Sequence, residues 1–176
     1  MKSKITGPHK ATNYAAAFYE AQAFLTAVVE INKKAQSIIS LAHGAENVST
    51  LRNVEYVNHA FAVELLLKCI MIMQNGHYYR GHNLLALYEK LNHSTQNELA
   101  LLYDKKLPWR LSKNISEYES ITFKMVLMEG ANAFMDLRYS FEPNNGNNSR
   151  YHLDMAADII VRYIQQIKPE LKSIMP

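Results

Sequence analysis

Two stretches of this chain gather side chains that could do chemistry. In "VELLLK" (63–68), Glu64 and Lys68 interrupt an apolar run four residues apart. On a helix that spacing puts the carboxylate beside the ammonium, in the favourable order. The apolar flanks point to partial burial, and buried charges need further partners. In "NGHYYRGH" (75–82), His77, Tyr78, Tyr79, Arg80 and His82 lie within eight residues. His82 stands at the start of the next helix, where its ring can bond a carboxylate on a neighbouring helix. Late in the chain, "FMDLRYSFE" (134–142) adds Arg138, Tyr139 and Glu142. The favoured reading joins Glu64, His82, Arg138 and Glu142 into a structural polar cluster, with Lys68 and Tyr139 beside it. The alternative lets the same cluster line a phosphate or nucleotide site. Tyr78, Tyr79 and Arg80 are the candidates for stacking on RNA bases.

Other chemistries find less. His77 and His82 have no cysteine or carboxylate at ligand spacing, so no metal site is expected. There is no glycine-rich phosphate loop, no G-x-S-x-G and no zinc ribbon, and no cofactor is expected. Cys69 is the sole cysteine. It cannot form an internal disulfide, and within "LLLKCIMIM" it reads as a small core residue.

These residues need a scaffold, and the spacing of apolar residues describes one. With 176 residues, 48% of them hydrophobic, the chain can bury one core, and a single domain over 1–176 with a tail at 1–11 is expected. The net charge of +3 permits RNA or phosphate as partner without demanding either. Neither a signal-peptide core nor a membrane span is expected, because Glu64 and Lys68 break the longest apolar runs; a cytoplasmic location follows.

Glycine and proline cluster at boundaries. Between them the apolar residues step by three and four. Tyr14, Phe18, Ala21, Leu25, Val28 and Ala35 mark one face of a first helix, capped by Thr12 or Asn13 and ended by Gly44. A second helix spans about 51–75, with Val54, Phe61, Leu65 and Cys69 inward. A third starts near His82, and a short fourth begins at "STQNE". A loop is expected around Pro108, then a long helix over about 116–141 and a last one over 151–167. The fold class is all-α: an up-and-down bundle of about five main helices, with no sheet.

Three stretches taken in order, "AFAVELLLKCIMIM" (60–73), "GHNLLALYEKL" (81–91) and "FMDLRYSFE" (134–142), resemble the HEPN superfamily, in its sub-group of stand-alone bacterial proteins. The resemblance covers roughly 51–168. It implies a bundle of four or five helices, often dimeric. Many members are metal-independent endoribonucleases of toxin–antitoxin or phage-defence systems, and others are non-catalytic binding modules. Their nuclease motif is an arginine followed, after four to six positions, by histidine. The arginine holds the scissile phosphate and the histidine moves protons.

In this chain the arginine corresponds to Arg138. The residue four on is Glu142, and the next histidine, His152, is fourteen away. If the chain is a ribonuclease, the catalytic candidates are therefore Arg138, His82 and Glu142. A literal match to the motif stands elsewhere, in "RNVEYVNH": Arg52 and His59, two helical turns apart on one face. That pair is the outside candidate, read first as surface and packing.

Two functions follow. The first is a non-catalytic module: a homodimer that binds a nucleotide, RNA or a partner protein such as an antitoxin or nucleotidyltransferase. The second is a metal-independent endoribonuclease with a divergent site. The missing histidine after Arg138 favours the first.

Overall fold

The computed structural model describes residues 8–40, 45–110, 121–132 and 152–172. Among these there are six α-helices: α1 Tyr14–Ser40, α2 Ala45–Asn75, α3 Leu84–Tyr88, α4 His93–Arg110, α5 Phe123–Glu129 and α6 Leu153–Ile167. A turn of 3-10 helix, Gly130–Asn132, follows α5. The protein is all-α in class. α1 and α2 pack along one another, α6 lies against α2, and α3, α4 and α5 close the remaining sides.

On α1 the buried residues Phe18, Ala21, Leu25, Val28 and Ala35 recur at helical spacing, along the stripe expected from the sequence. The side chain of Asn13 accepts a hydrogen bond from the Ala16 amide at 2.9 Å and caps the helix. α2 departs from its expected face. Ala62, Val63, Leu66, Leu67, Cys69, Ile70 and Met71 are all buried, while Val54 is 43% exposed. From about residue 59 onward the helix is surrounded, and a helix apolar on every side belongs in a core. Leu51–Asn75 has the length and composition to cross a membrane, yet 61% of its most apolar window is buried inside the protein.

The expectation of no sheet is corrected. β1, Pro8–Lys10, pairs antiparallel with β2, His77–Tyr79, in the register Pro8 with Tyr79, His9 with Tyr78 and Lys10 with His77. Residues 8–10 are therefore part of the fold and not a tail. Gly76, at φ +68°, makes this turn possible: its amide bonds to the Ile72 carbonyl at 2.9 Å and its carbonyl accepts the Ala11 amide at 3.0 Å. A left-handed residue at a helix C-terminus is where glycine costs least.

Three helix boundaries also move. α4 runs through Pro108 to Arg110, where a loop was expected. A proline in a last turn removes one intrahelical bond, and the carbonyl it frees belongs to exposed Asp104, where water can serve. Of the long helix expected over 116–141, the described residues show a start at Phe123, where Thr122 is extended and its side chain accepts the Met125 amide at 3.2 Å. Residues 116–120 and 133–141 lie outside the described residues. α3 starts at Leu84, capped by Asn83, whose side chain accepts the Ala86 amide at 2.8 Å. His82 is left for other work.

Candidate functional site

α2 carries two polar sites at different heights. The upper one is centred on Glu64, a carboxylate only 8% exposed. Its Oε1 accepts from Lys68 Nζ at 2.6 Å, and its Oε2 faces His82 Nδ1 at 2.9 Å. The first contact follows from the i,i+4 spacing. The second follows from the chain path, since Gly76 and Gly81, both at positive φ, turn the backbone so that His82 returns to α2. Lys68 Nζ also lies 5.7 Å from the centre of the Tyr78 ring, and Lys90 Nζ lies 5.4 Å from that of Tyr79. His9 of β1 packs on Tyr78, with ring centres 5.9 Å apart.

Tyr78 and Tyr79 are thus half-buried and occupied within the chain, while Arg80 is exposed. Both oxygens of Glu64 are taken. This site ties the α2 C-terminal half, the β-clip and the start of α3 together. Arg138, Tyr139 and Glu142, expected beside it, lie outside the described residues.

The lower site lies one to three turns earlier on α2. Arg52, Glu55, Tyr56 and His59 stand at i, i+3, i+4 and i+7, which is one face of the helix. Together with His152, Leu153 and Asp154 at the start of α6 they line a cavity of about 170 Å³. Here the structure joins Arg52 and His59, the pair read from sequence as the outside candidate, and adds a second imidazole. His59 is buried, and Glu55 Oε1 accepts from Asn32 Nδ2 at 3.2 Å. Arg52 is exposed and has no ion pair among the described residues.

His152 precedes α6 with φ 44°, and no side-chain bond caps this helix. It is the sole non-glycine at positive φ among the described residues. Histidine tolerates this conformation better than most residues, but at a cost, and such costs concentrate at functional positions. Asp154 puts an acidic group in the first turn of α6, where the helix dipole favours it.

Glu55, Tyr56 and Asp154 were not singled out in the sequence, and His152 was noted only as lying too far from Arg138 for the nuclease motif. For Glu55 and Tyr56 the signal was present: with Arg52 and His59 they stand at i, i+3, i+4 and i+7, one face of the helix. For His152 and Asp154 there was none, because their place beside α2 depends on tertiary packing. No group of three histidine, cysteine, aspartate or glutamate residues suited to a metal occurs among the described residues. Cys69 is buried, and burial pushes its thiol up to about 12. Its Sγ donates to the Tyr14 carbonyl at 3.3 Å, the environment of a structural cysteine and not of a nucleophile. Comparisons with protein-family models, with curated proteins and with solved structures found no match to this chain.

Proposed function

We propose that this protein is a HEPN-like helical module that binds a phosphate-bearing ligand, RNA or nucleotide, in the cavity between α2 and the start of α6. One observation carries the reading: Arg52, His59 and His152 converge on a single cavity. An arginine without a carboxylate partner among the described residues offers a planar, permanently charged fork to phosphate. The volume of about 170 Å³ is below the roughly 300–1,000 Å³ of pockets that enclose a whole small molecule. It suits one phosphate and part of its sugar, with the rest of the ligand outside. Glu55 and Asp154 can accept hydrogen bonds from ribose hydroxyls, which distinguishes such a ligand from a bare anion.

A second reading has specific support from the same geometry. Metal-independent RNA cleavage uses a proton acceptor and a proton donor near neutral pH, and two histidines at one cavity can fill both roles. The site for that chemistry would be Arg52, His59 and His152, in place of Arg138, His82 and Glu142. His82 is engaged with buried Glu64.

The cellular setting we propose rests on the resemblance: a cytoplasmic homodimer in a toxin–antitoxin or phage-defence system, with an antitoxin or nucleotidyltransferase as partner. The aromatic residues of α1 add little to such a dimer, because most of them are used within the chain. Phe18 is fully buried, Phe24 packs on Phe61 at 5.2 Å, and Tyr14 reaches Glu170 at 3.4 Å, which leaves Tyr19 exposed.

The test is fluorescence anisotropy with a labelled mixed-sequence RNA in EDTA. Wild type should bind, and Arg52→Ala should bind at least about tenfold more weakly, the loss of one charged phosphate contact. Equal binding by the two sinks the reading. If the RNA is cleaved, and His59→Ala stops cleavage while the fold survives, the ribonuclease reading takes over.

A further inference from the structure

A second concave surface lies between α4 and α6, apart from the cavity described above. It is a groove of about 540 Å³ lined by Leu102, Lys105, Lys106, Ile159, Arg162 and Gln166. Its floor is apolar, from half-buried Leu102 and buried Ile159, and three cations stand along its walls. One carboxylate, Asp158, pairs with both Lys106 and Arg162. Lys105 is exposed and has no ion pair among the described residues. Lys105 thus adds to the groove a positive charge that no carboxylate among the described residues pairs. One turn before Lys105, on the same face of α4, Leu101 stands 57% exposed.

We propose that this groove docks an acidic amphipathic helix from a partner protein. The chemistry of the walls selects the occupant. An apolar floor between two helices takes leucine-like anchors at i, i+3/i+4 and i+7, as helix-in-groove recognition does. The charge of Lys105 selects glutamate or aspartate on the flanks, and complementary charge also speeds encounter. Exposed Leu101 extends the apolar strip beyond the groove, where a helix continues and a small molecule ends. A nucleic acid is the poorer fit, because none of the lining residues is aromatic and the floor offers nothing for phosphate.

The experiment is amide chemical-shift mapping on the full chain with a synthetic peptide. The peptide carries leucine at i, i+3/i+4 and i+7 and glutamate at most other positions. Saturable shifts at Leu102, Lys105, Lys106, Ile159, Arg162 and Gln166 are expected, weakening as salt is raised. Lys105→Glu should weaken binding severalfold, and Lys105→Glu with Arg162→Glu about tenfold or more, since attraction becomes repulsion. Lys105→Glu alone keeps the Asp158 pairs, so it remains informative if the double variant unfolds.

The same peptide with lysine for glutamate should not bind. The proposal is overturned if the acidic peptide gives no saturable shifts in the groove, or if Lys105→Glu binds it as tightly as wild type. It is also overturned if an all-glutamate peptide of equal charge binds as well, or if oligouridine shifts the same amides.

Discussion

The two polar sites on α2 use the same kinds of side chain to opposite ends. Around Glu64 the charges close on each other: both carboxylate oxygens are taken, by Lys68 and His82. Around Arg52 the charges open onto a volume, and the arginine has no ion pair among the described residues. The first arrangement spends its polarity on fixing three pieces of chain. The second leaves Arg52 beside a volume of about 170 Å³, which under the proposed function a phosphate-bearing ligand would fill. Burial explains the division. Glu64 sits where α2 is surrounded, and a charge there must find partners within the protein or not be charged. Arg52 sits where residues 51–58 of α2 are half-buried or exposed, and water tolerates a guanidinium that has no ion pair among the described residues.

The largest expected effect tests the closed site. Glu64→Ala leaves Lys68 largely buried without its carboxylate, and breaking a buried pair from one side costs about 3–5 kcal/mol. Chemical denaturation should show a loss of that order. Glu64→Leu combined with Lys68→Met, which removes both charges, should recover most of it, because a buried pair contributes little over apolar residues of similar volume. A loss below about 1 kcal/mol for Glu64→Ala would show that water reaches this site, and the contrast with Arg52 would collapse.

A substitution in the core should disturb the open site instead. A Cβ at Gly130 would meet Leu153 Cδ2 at 2.8 Å, Leu153 Cδ1 at 3.0 Å and Leu84 Cδ1 at 3.2 Å. Both leucines are about 1% exposed, so neither moves aside freely, and overpacking of this kind costs about 1–3 kcal/mol. Leu153 also lines the lower cavity. Gly130→Ala should therefore shift the amide resonances of His152 and Asp154 more than that of His82, which lies near the looser Leu84 contact, and leave that of Glu64 in place. Shifts confined to the upper site would reverse that assignment.

These sites were unequally legible in the sequence, for physical reasons. Helical spacing exposed the α1 stripe through Phe18, Ala21 and Leu25, and local capping exposed Asn13. Both signals lie within a few residues of what they describe. The Glu64–Lys68 pair was legible for the same reason. The β-clip was not, because Pro8–Lys10 gains strand character from pairing with residues almost seventy positions away. Three residues are too few to show alternation. α4 was cut short at Pro108 because a proline's cost was weighed without the exposed carbonyl that lowers it. The lower cavity was half legible: Arg52 and His59 were read as one face of one helix, but nothing local announced that His152 would be brought to the same place.

Cys69 supplies a control for the two sites, on the same helix and lining neither of them. In the unfolded chain its thiol ionises near its ordinary value of 9.0, whereas burial in the folded protein holds it up to about 12. A folded-state pKa raised above the unfolded one gives stability that is present below pH 9 and lost as pH climbs toward 12. At pH 10 the loss attributable to Cys69 is about 1 kcal/mol. Cys69→Ala should flatten that part of the stability–pH curve. Native protein at pH 8 should react with a thiol reagent only as fast as it unfolds. Rapid native labelling would contradict the buried, inert assignment.

The smallest effect on stability is expected where the effect on function is greatest. Arg52 is exposed and holds no carboxylate among the described residues, so its removal leaves no buried charge behind. Surface substitutions away from special features change stability by no more than about 0.5 kcal/mol. Arg52→Ala should therefore melt with wild type when both are free. The distinction should appear on adding ligand. A molecule that binds only the folded state raises stability by RT ln(1 + [L]/Kd), about 2.7 kcal/mol when ligand is at a hundred times Kd. At an RNA concentration that raises the wild-type melting temperature, Arg52→Ala should show a much smaller rise, and Glu64→Ala, already destabilised, should rise as much as wild type does. That crossed pattern, with one variant losing stability and keeping the ligand response and the other doing the reverse, would separate the two sites. If both variants lose the response together, the sites are a single cooperative unit, and the division between a closed and an open cluster on α2 is wrong.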